Sequence, residues 1–221
     1  MTDSPVTGFK AKIPNILTIG RIVLIPVLVW GILQLDVFSL ERGHPHMGTV
    51  VLILFVLMAL TDFLDGFFAR KWQVTSDFGR MIDPIADKLF VAGCLIAICI
   101  VSIGAWLVLV PALLIIGRDI FVSGLREHAA LKSRTMPPTK LAKWKTACEM
   151  LAIFVLLLSL AMLTFRFNHP SNSGWVEYPP LSTDQPSLHA ILLHIGIGVL
   201  WIAALLSVYT GSLYLRAALK D

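Results

Sequence analysis

Four aspartates carry the densest chemistry in this chain. Asp62 and Asp65 stand three residues apart near the end of one apolar stretch, and Asp83 and Asp87 four apart near the start of the next. Residues three apart on an α-helix are about 60° apart around its axis and residues four apart about 40°, so each pair shares a helix face. A carboxylate in or beside hydrocarbon costs up to ~3 kcal/mol on insertion scales, and four packed together cannot all stay ionised without compensation. Hard divalent cations with oxygen ligands provide it, and Mg2+ bridging carboxylates to a diphosphate is an arrangement such acids suit. Gly66, Ala69 and Gly79 are small residues around the acids. They would let a nucleotide lie close to backbone, or let helices pack closely.

The elements that must position these acids are membrane helices. At 221 residues and 57% hydrophobic, with mean hydropathy +0.80, the chain is too apolar for a soluble domain and too short for more than one membrane domain. Its longest apolar stretches, roughly 16–35, 47–69, 82–101, 103–125, 146–165 and 190–215, compare with the ~20 helical residues that cross a hydrocarbon core. The expectation is an all-α bundle of about six transmembrane helices forming one domain over 1–221, with an N-terminal segment 1–15 and an outer loop 166–189. Arg118 and Asp119 interrupt the fourth stretch, whose last turns should leave the lipid. The segment 71–77 is short, which predicts antiparallel neighbours for the second and third helices. Residues 2–12 are polar and no small-residue cleavage site follows the first apolar stretch, so no cleavable signal is expected.

Lys and Arg set the orientation. With a cytoplasmic N-terminus and alternating helices, sixteen of the eighteen basic residues fall on the cytoplasmic side, and only Arg42 and Arg166 on the other. Both termini are expected inside. The net charge of +4 is then a topogenic bias and no argument for nucleic acid. In this frame Arg21, Asp62, Asp65, Asp83, Asp87, Lys88, Arg118, Asp119 and Glu149 all fall on the cytoplasmic half, which implies one polar cavity open to the cytoplasm above a dry outer half. An ion path would instead place polar groups near the midplane and beyond, so a cation channel or transporter is the remote alternative.

The full string Asp62-x-x-Asp65-Gly66-x-x-Ala69-Arg70, eight residues, then Gly79-x-x-x-Asp83-x-x-x-Asp87 resembles the signature of the CDP-alcohol phosphotransferases. These membrane enzymes move a phosphatidyl or related phosphoryl group from a CDP-linked donor to an alcohol. The resemblance implies that Asp62, Asp65 and Asp83 bind two metal ions, Mg2+ or Mn2+, and that Asp87 is the base for the acceptor hydroxyl while also a ligand. It implies that Gly66, Ala69, Arg70 and Gly79 shape the site of the CMP moiety.

Three further segments are similar to the bacterial branch that transfers phosphatidyl from CDP-diacylglycerol to the 1-hydroxyl of sn-glycerol 3-phosphate. The opening Ile13-Pro14-Asn15-Ile16-Leu17-Thr18-x-x-Arg21 is one, and places Asn15, Thr18 and Arg21 with the donor-binding residues. Arg118-Asp119-Ile120-Phe121-Val122-Ser123-Gly124-Leu125-Arg126-Glu127 is the second, with Asp119 a departure. Lys140-x-x-Lys143-x-Lys145-Thr146 is the third, with Ala142 in place of the usual Gly. Arg118, Arg126, Lys143 and Lys145 could all face a cytoplasmic cavity, and a phosphate monoester needs such charge; the same residues also satisfy the positive-inside bias. Arg21 inside an apolar helix needs a partner, a phosphate or an aspartate. The implied partners are CDP-diacylglycerol, glycerol 3-phosphate, the lipid bilayer of the inner membrane and, by resemblance, a second copy. An inositol phosphate, serine, choline or phosphatidylglycerol would be the alternative acceptors.

The remaining residues read as structural. Cys94, Cys99 and Cys148 lie in or beside apolar helix, as small packing residues do. His44, His46, His169 and His189 sit in outer loops, and His194 reads as a hydrogen-bonded packing residue. Trp30, Trp106, Trp175 and Trp201 lie toward the outer side as an interfacial belt would. Ala203, Ser207 and Gly211 form a small-residue stripe suited to close packing within or between protomers.

Overall fold

The protein is described here by a computed structural model covering residues 9–35, 46–72, 77–102, 105–132, 140–167 and 187–219. Side chains are described for 17–35, 46–62, 64, 81–102, 105–132, 141–164 and 187–219. The described residues are all-helical. Six helices follow in order: α1 (Phe9–Leu33), α2 (Met47–Trp72), α3 (Asp77–Val101), α4 (Trp106–Leu131), α5 (Lys140–Phe167) and α6 (Leu188–Leu219). Each covers all or most of one apolar stretch and continues past it at the charged end. Arg118 and Asp119 do not break α4, which runs on through Leu131. Residues 1–8, most of the outer loop and residues 133–139 between α4 and α5 lie outside the described residues.

Four segments are long and apolar enough to cross a membrane: Met81–Val101, Trp106–Leu131, Leu141–Thr164 and Leu188–Leu219. Leu17–Leu33 and Met47–Asp62 are shorter apolar helices. The perimeter carries large apolar side chains that are more than half exposed, among them Val23, Ile100, Leu113 and Leu205. Water would penalise so continuous an apolar girdle, whereas lipid tails solvate it. The chain is a multi-pass membrane protein.

The helices form a ring. Around it, α1 packs on α2, α2 on α5, α5 on α6, α6 on α4, α4 on α3 and α3 on α1, with α3 also reaching α5 across the middle. Leu28, Ile32, Leu95, Ile115, Ile153 and Leu200 are among the fully buried side chains of the core. Side-by-side packing of α2 and α3 is expected at their linked ends, whose side chains lie largely outside the described residues. Among the described residues α1 packs along both of them, and they touch one another sparsely, with Phe55 stacked on Phe90 at 5.4 Å between ring centroids.

Small residues decide the closest helix approaches. The Ala203–Ser207–Gly211 stripe is buried inside the bundle, so it serves packing within this chain. Gly48 lies against α5: a Cβ there would come within 2.6 Å of the Ala161 Cα and would also strike the Thr164 hydroxyl. Backbone cannot move aside as a side chain can. Gly48→Val is therefore expected to destabilise by about 1–3 kcal/mol, as overpacking does, and to lower the midpoint of thermal unfolding in detergent. Gly198→Ala, where a Cβ meets nothing within 4 Å, should leave the midpoint unchanged or raise it through helix propensity. Equal midpoints for Gly48→Val and the parent would contradict the α2–α5 contact.

Candidate active site

Thr18 and Arg21 stand three residues apart on α1 and are both 3% exposed. A buried guanidinium has to be compensated, and α2 and α3 supply the charge. Arg21 Nη1 forms an ion pair with Asp62 Oδ1 of α2 and lies 3.2 Å from Asp87 Oδ1 of α3. The Thr18 hydroxyl donates to Asp83 Oδ1 at 2.7 Å. Three of the four aspartates are thus gathered at one end of the bundle by two residues of α1. Of the two partners expected for Arg21, a phosphate or an aspartate, aspartates are in contact.

The arginine and the acids differ in access. The Arg21 side chain is 2% exposed, against 40% for Asp62 and 58% for Asp87, so the cation forms a floor and the carboxylates a rim. Asp65 lies on α2 one helical step from Asp62. Its side chain, with those of Asn15, Gly66, Ala69, Arg70 and Gly79, lies outside the described residues. Among the described residues no group of three or more His, Cys, Asp or Glu side chains stands together as a metal site. The chemistry of the donor set nonetheless fits a hard cation: every available ligand is a carboxylate oxygen at an open rim. Arg21 offsets one of the three charges of Asp62, Asp83 and Asp87, leaving two, which a divalent ion would balance.

A second polar network joins α4, α5 and α6 at the same end. Asp119 of α4 is its centre, 3.0 Å from Arg118 Nη1 and 2.5 Å from Lys145 Nζ of α5. Lys145 also contacts Glu149 at 2.7 Å, one turn along α5. The Lys145 and Glu149 side chains are 4% and 2% exposed. Arg118 reaches α6, where Nε donates to the Ser207 carbonyl at 3.1 Å and Nη2 to the Thr210 hydroxyl at 2.9 Å. Gly211 makes room for it, because a Cβ at that position would come within 2.9 Å of Arg118 Cγ. Arg126 is exposed and donates from Nη2 to the Tyr214 hydroxyl at 2.7 Å. Lys143 is exposed on α5.

A groove lies between α3 and α4, beside the second network. Lys88 of α3 and Asp119 of α4 line this groove of about 140 Å³, walled by Val91, Ala92, Ile115 and Ile116. The sequence-predicted cations are therefore not equivalent. Arg118 and Lys145 are engaged by neighbouring side chains and backbone, whereas Arg126 and Lys143 face outward. Charge inside apolar stretches had marked Asp119 and Glu149 as polar-end residues, but their pairing with Lys145 depends on helix neighbours that spacing does not encode. Tyr214 carried no signal, since an aromatic residue in an apolar helix reads as packing. Among the structural assignments, Trp30 and Trp106 are exposed. A ring nitrogen of His194 lies 2.7 Å from the Ala190 carbonyl, but that side chain is exposed instead of packed.

Removing one partner of a buried ion pair costs about 3–5 kcal/mol, whereas replacing both with apolar groups can be neutral. Lys145→Met, which leaves Glu149 without its cation and Asp119 with Arg118 alone, is expected to lose stability on that scale. Lys145→Met with Glu149→Leu should recover a large part of it. Chemical unfolding in detergent measures both, and a double variant no more stable than the single one would contradict the network.

The sequence profile of the CDP-alcohol phosphatidyltransferases matches residues 11–209 of this chain. A CDP-diacylglycerol–glycerol-3-phosphate 3-phosphatidyltransferase of Cereibacter sphaeroides is 38% identical over 219 residues, covering 94% of this chain and 96% of its own. The protein of the same name from Rickettsia bellii is 36% identical over 209 residues, covering 95% and 96%. A cardiolipin synthase (CMP-forming) of Oryza sativa subsp. japonica is 39% identical over 158 residues, covering 66% of this chain and 46% of its own. Matched over most of its length, with the aspartate string on the two helices that α1 draws together, the chain belongs to the CDP-alcohol phosphatidyltransferase family.

Proposed function

We propose that this protein transfers the phosphatidyl group of CDP-diacylglycerol to the 1-hydroxyl of sn-glycerol 3-phosphate, releasing CMP and phosphatidylglycerol phosphate. The observation that carries the reading is the meeting of Asp62, Asp83 and Asp87 around Arg21 and Thr18, in a chain similar over nearly its whole length to relatives named for that reaction. Asp62, Asp65, Asp83 and Asp87 would hold the divalent ions, Mg2+ or Mn2+ and two in number. When bound, such ions offset charge on the donor's diphosphate and on the entering and departing oxygens. Gly66, Ala69, Arg70 and Gly79 would receive the cytidine end, with Asn15 beside them. Asp87, at the open rim, would take the proton of the acceptor hydroxyl. Thr18 and Arg21 support donor binding by fixing the carboxylates.

Arg126 and Lys143 are the outward-facing cations suited to the acceptor's phosphate. Arg118 and Lys145 would add positive potential from behind while holding α4, α5 and α6 in register. The asymmetry of Lys and Arg supports a six-span arrangement in the inner membrane, both termini cytoplasmic, with the polar end facing the cytoplasm. Phosphatidylglycerol is the competing acceptor that a relative's name supports, over a smaller part of the chain. An acceptor that is itself a lipid has less need of the exposed cations at the polar end.

Purified protein supplied with labelled CDP-diacylglycerol and Mg2+ should release CMP fastest with glycerol 3-phosphate. Faster turnover with phosphatidylglycerol, inositol phosphate, serine or choline would overturn the acceptor. Asp87→Asn is expected to lower kcat by roughly 100-fold or more, the scale of a lost general base, with CDP-diacylglycerol binding retained. Asp62→Asn and Asp83→Asn should lose metal dependence and activity together. Full activity in any of the three would remove that residue from its role.

A further inference from the structure

We propose that Tyr214 is a positioning residue for the acceptor: it holds Arg126 so that the guanidinium presents its other N–H groups to the phosphate of glycerol 3-phosphate. The inference rests on the acceptor proposed above. Tyr214 is on α6, past the residues matched by the family profile, and is 5% exposed. Its hydroxyl accepts from Arg126 Nη2 at 2.7 Å, and its ring centroid lies 4.9 Å from Arg126 Cζ and 5.8 Å from Arg118 Cζ. One buried ring therefore meets two guanidiniums from the same helix.

The two arginines use it differently. On Arg118, Nε, Nη1 and Nη2 each donate to protein, to Ser207, Asp119 and Thr210. Lys145 is buried between Asp119 and Glu149. Arg126 has its hydrogen bond to Tyr214 and is exposed, so most of its five N–H donors face outward. An exposed arginine near a helix end samples many rotamers, and fixing them at the moment of binding weakens binding. A hydrogen bond and a cation–π contact from a buried ring restrict those rotamers beforehand. Phosphate recognition gains most from this, because a guanidinium grips phosphate through two parallel N–H bonds that require a set orientation.

The test is a kinetic cycle on purified full-length protein with CDP-diacylglycerol, Mg2+ and glycerol 3-phosphate, comparing parent, Tyr214→Phe, Arg126→Ala and the double variant. Tyr214→Phe keeps the ring and removes the hydroxyl. It is expected to raise the acceptor KM roughly 3- to 10-fold, the scale of one net hydrogen bond, with the donor KM within about twofold of the parent and the melting temperature unchanged. In the Arg126→Ala background the same change should leave the acceptor KM where Arg126→Ala put it. A hydroxyl that merely ties α6 to α4 would move stability or both KM values, and would act whether or not the acceptor's phosphate is bound. An unchanged acceptor KM in Tyr214→Phe, or an equal rise in both backgrounds, overturns the inference alone. A parent protein that releases no CMP with glycerol 3-phosphate overturns the acceptor, and the inference with it.

Discussion

One buried guanidinium organises the acidic end of this bundle. Arg21 has almost no access to solvent, so its charge must be met by protein, and the groups that meet it are Asp62 of α2 and Asp87 of α3. Because an arginine deprived of those partners would be an isolated buried charge, α2 and α3 are constrained to bring their acidic ends to α1. Thr18, one turn away, fixes Asp83 in the same way. Hydrophobic burial alone would not set this arrangement, since lipid tails solvate apolar faces about as well as other helices do.

The network of α4, α5 and α6, at the same end of the bundle, obeys the same constraint. Lys145 is buried and held by Asp119 and Glu149, and Arg118 is held by Asp119 and by the carbonyl and hydroxyl groups of α6. These contacts join α4, α5 and α6 as Arg21 joins α1, α2 and α3. In each network the buried charges hold helices together and the exposed ones remain accessible. That division gives a physical reason for the excess of ionisable residues at one end: part of it is structural compensation, while among the described site residues Asp62, Asp83, Asp87, Arg126 and Lys143 stay accessible.

Much of this was legible in the residues themselves. Six apolar stretches gave six helices, and the i, i+3 and i, i+4 spacing of the acids placed them on common faces. The string from Asp62 to Asp87 carried the family, and Arg21 in an apolar helix announced a partner. What was not legible concerned neighbours. A short connection made α2 and α3 expected neighbours, but connection length says nothing of the α1 side chains that bridge their acids. Lys145 looked like its exposed neighbour Lys143 because a run of basic residues does not reveal which side chain turns inward. Tyr214 could not be separated from ordinary packing aromatics until Arg126 was found against it.

The central claim is that Arg21 is energetically coupled to the acids of both α2 and α3, and a double-mutant cycle on unfolding free energy measures that coupling directly. Arg21→Met would be combined in turn with Asp62→Asn and Asp87→Asn. Each pair should be non-additive, with a coupling of about 0.5–3 kcal/mol. Additive effects in both cycles would mean that the arginine does not hold these acids, and would contradict the account.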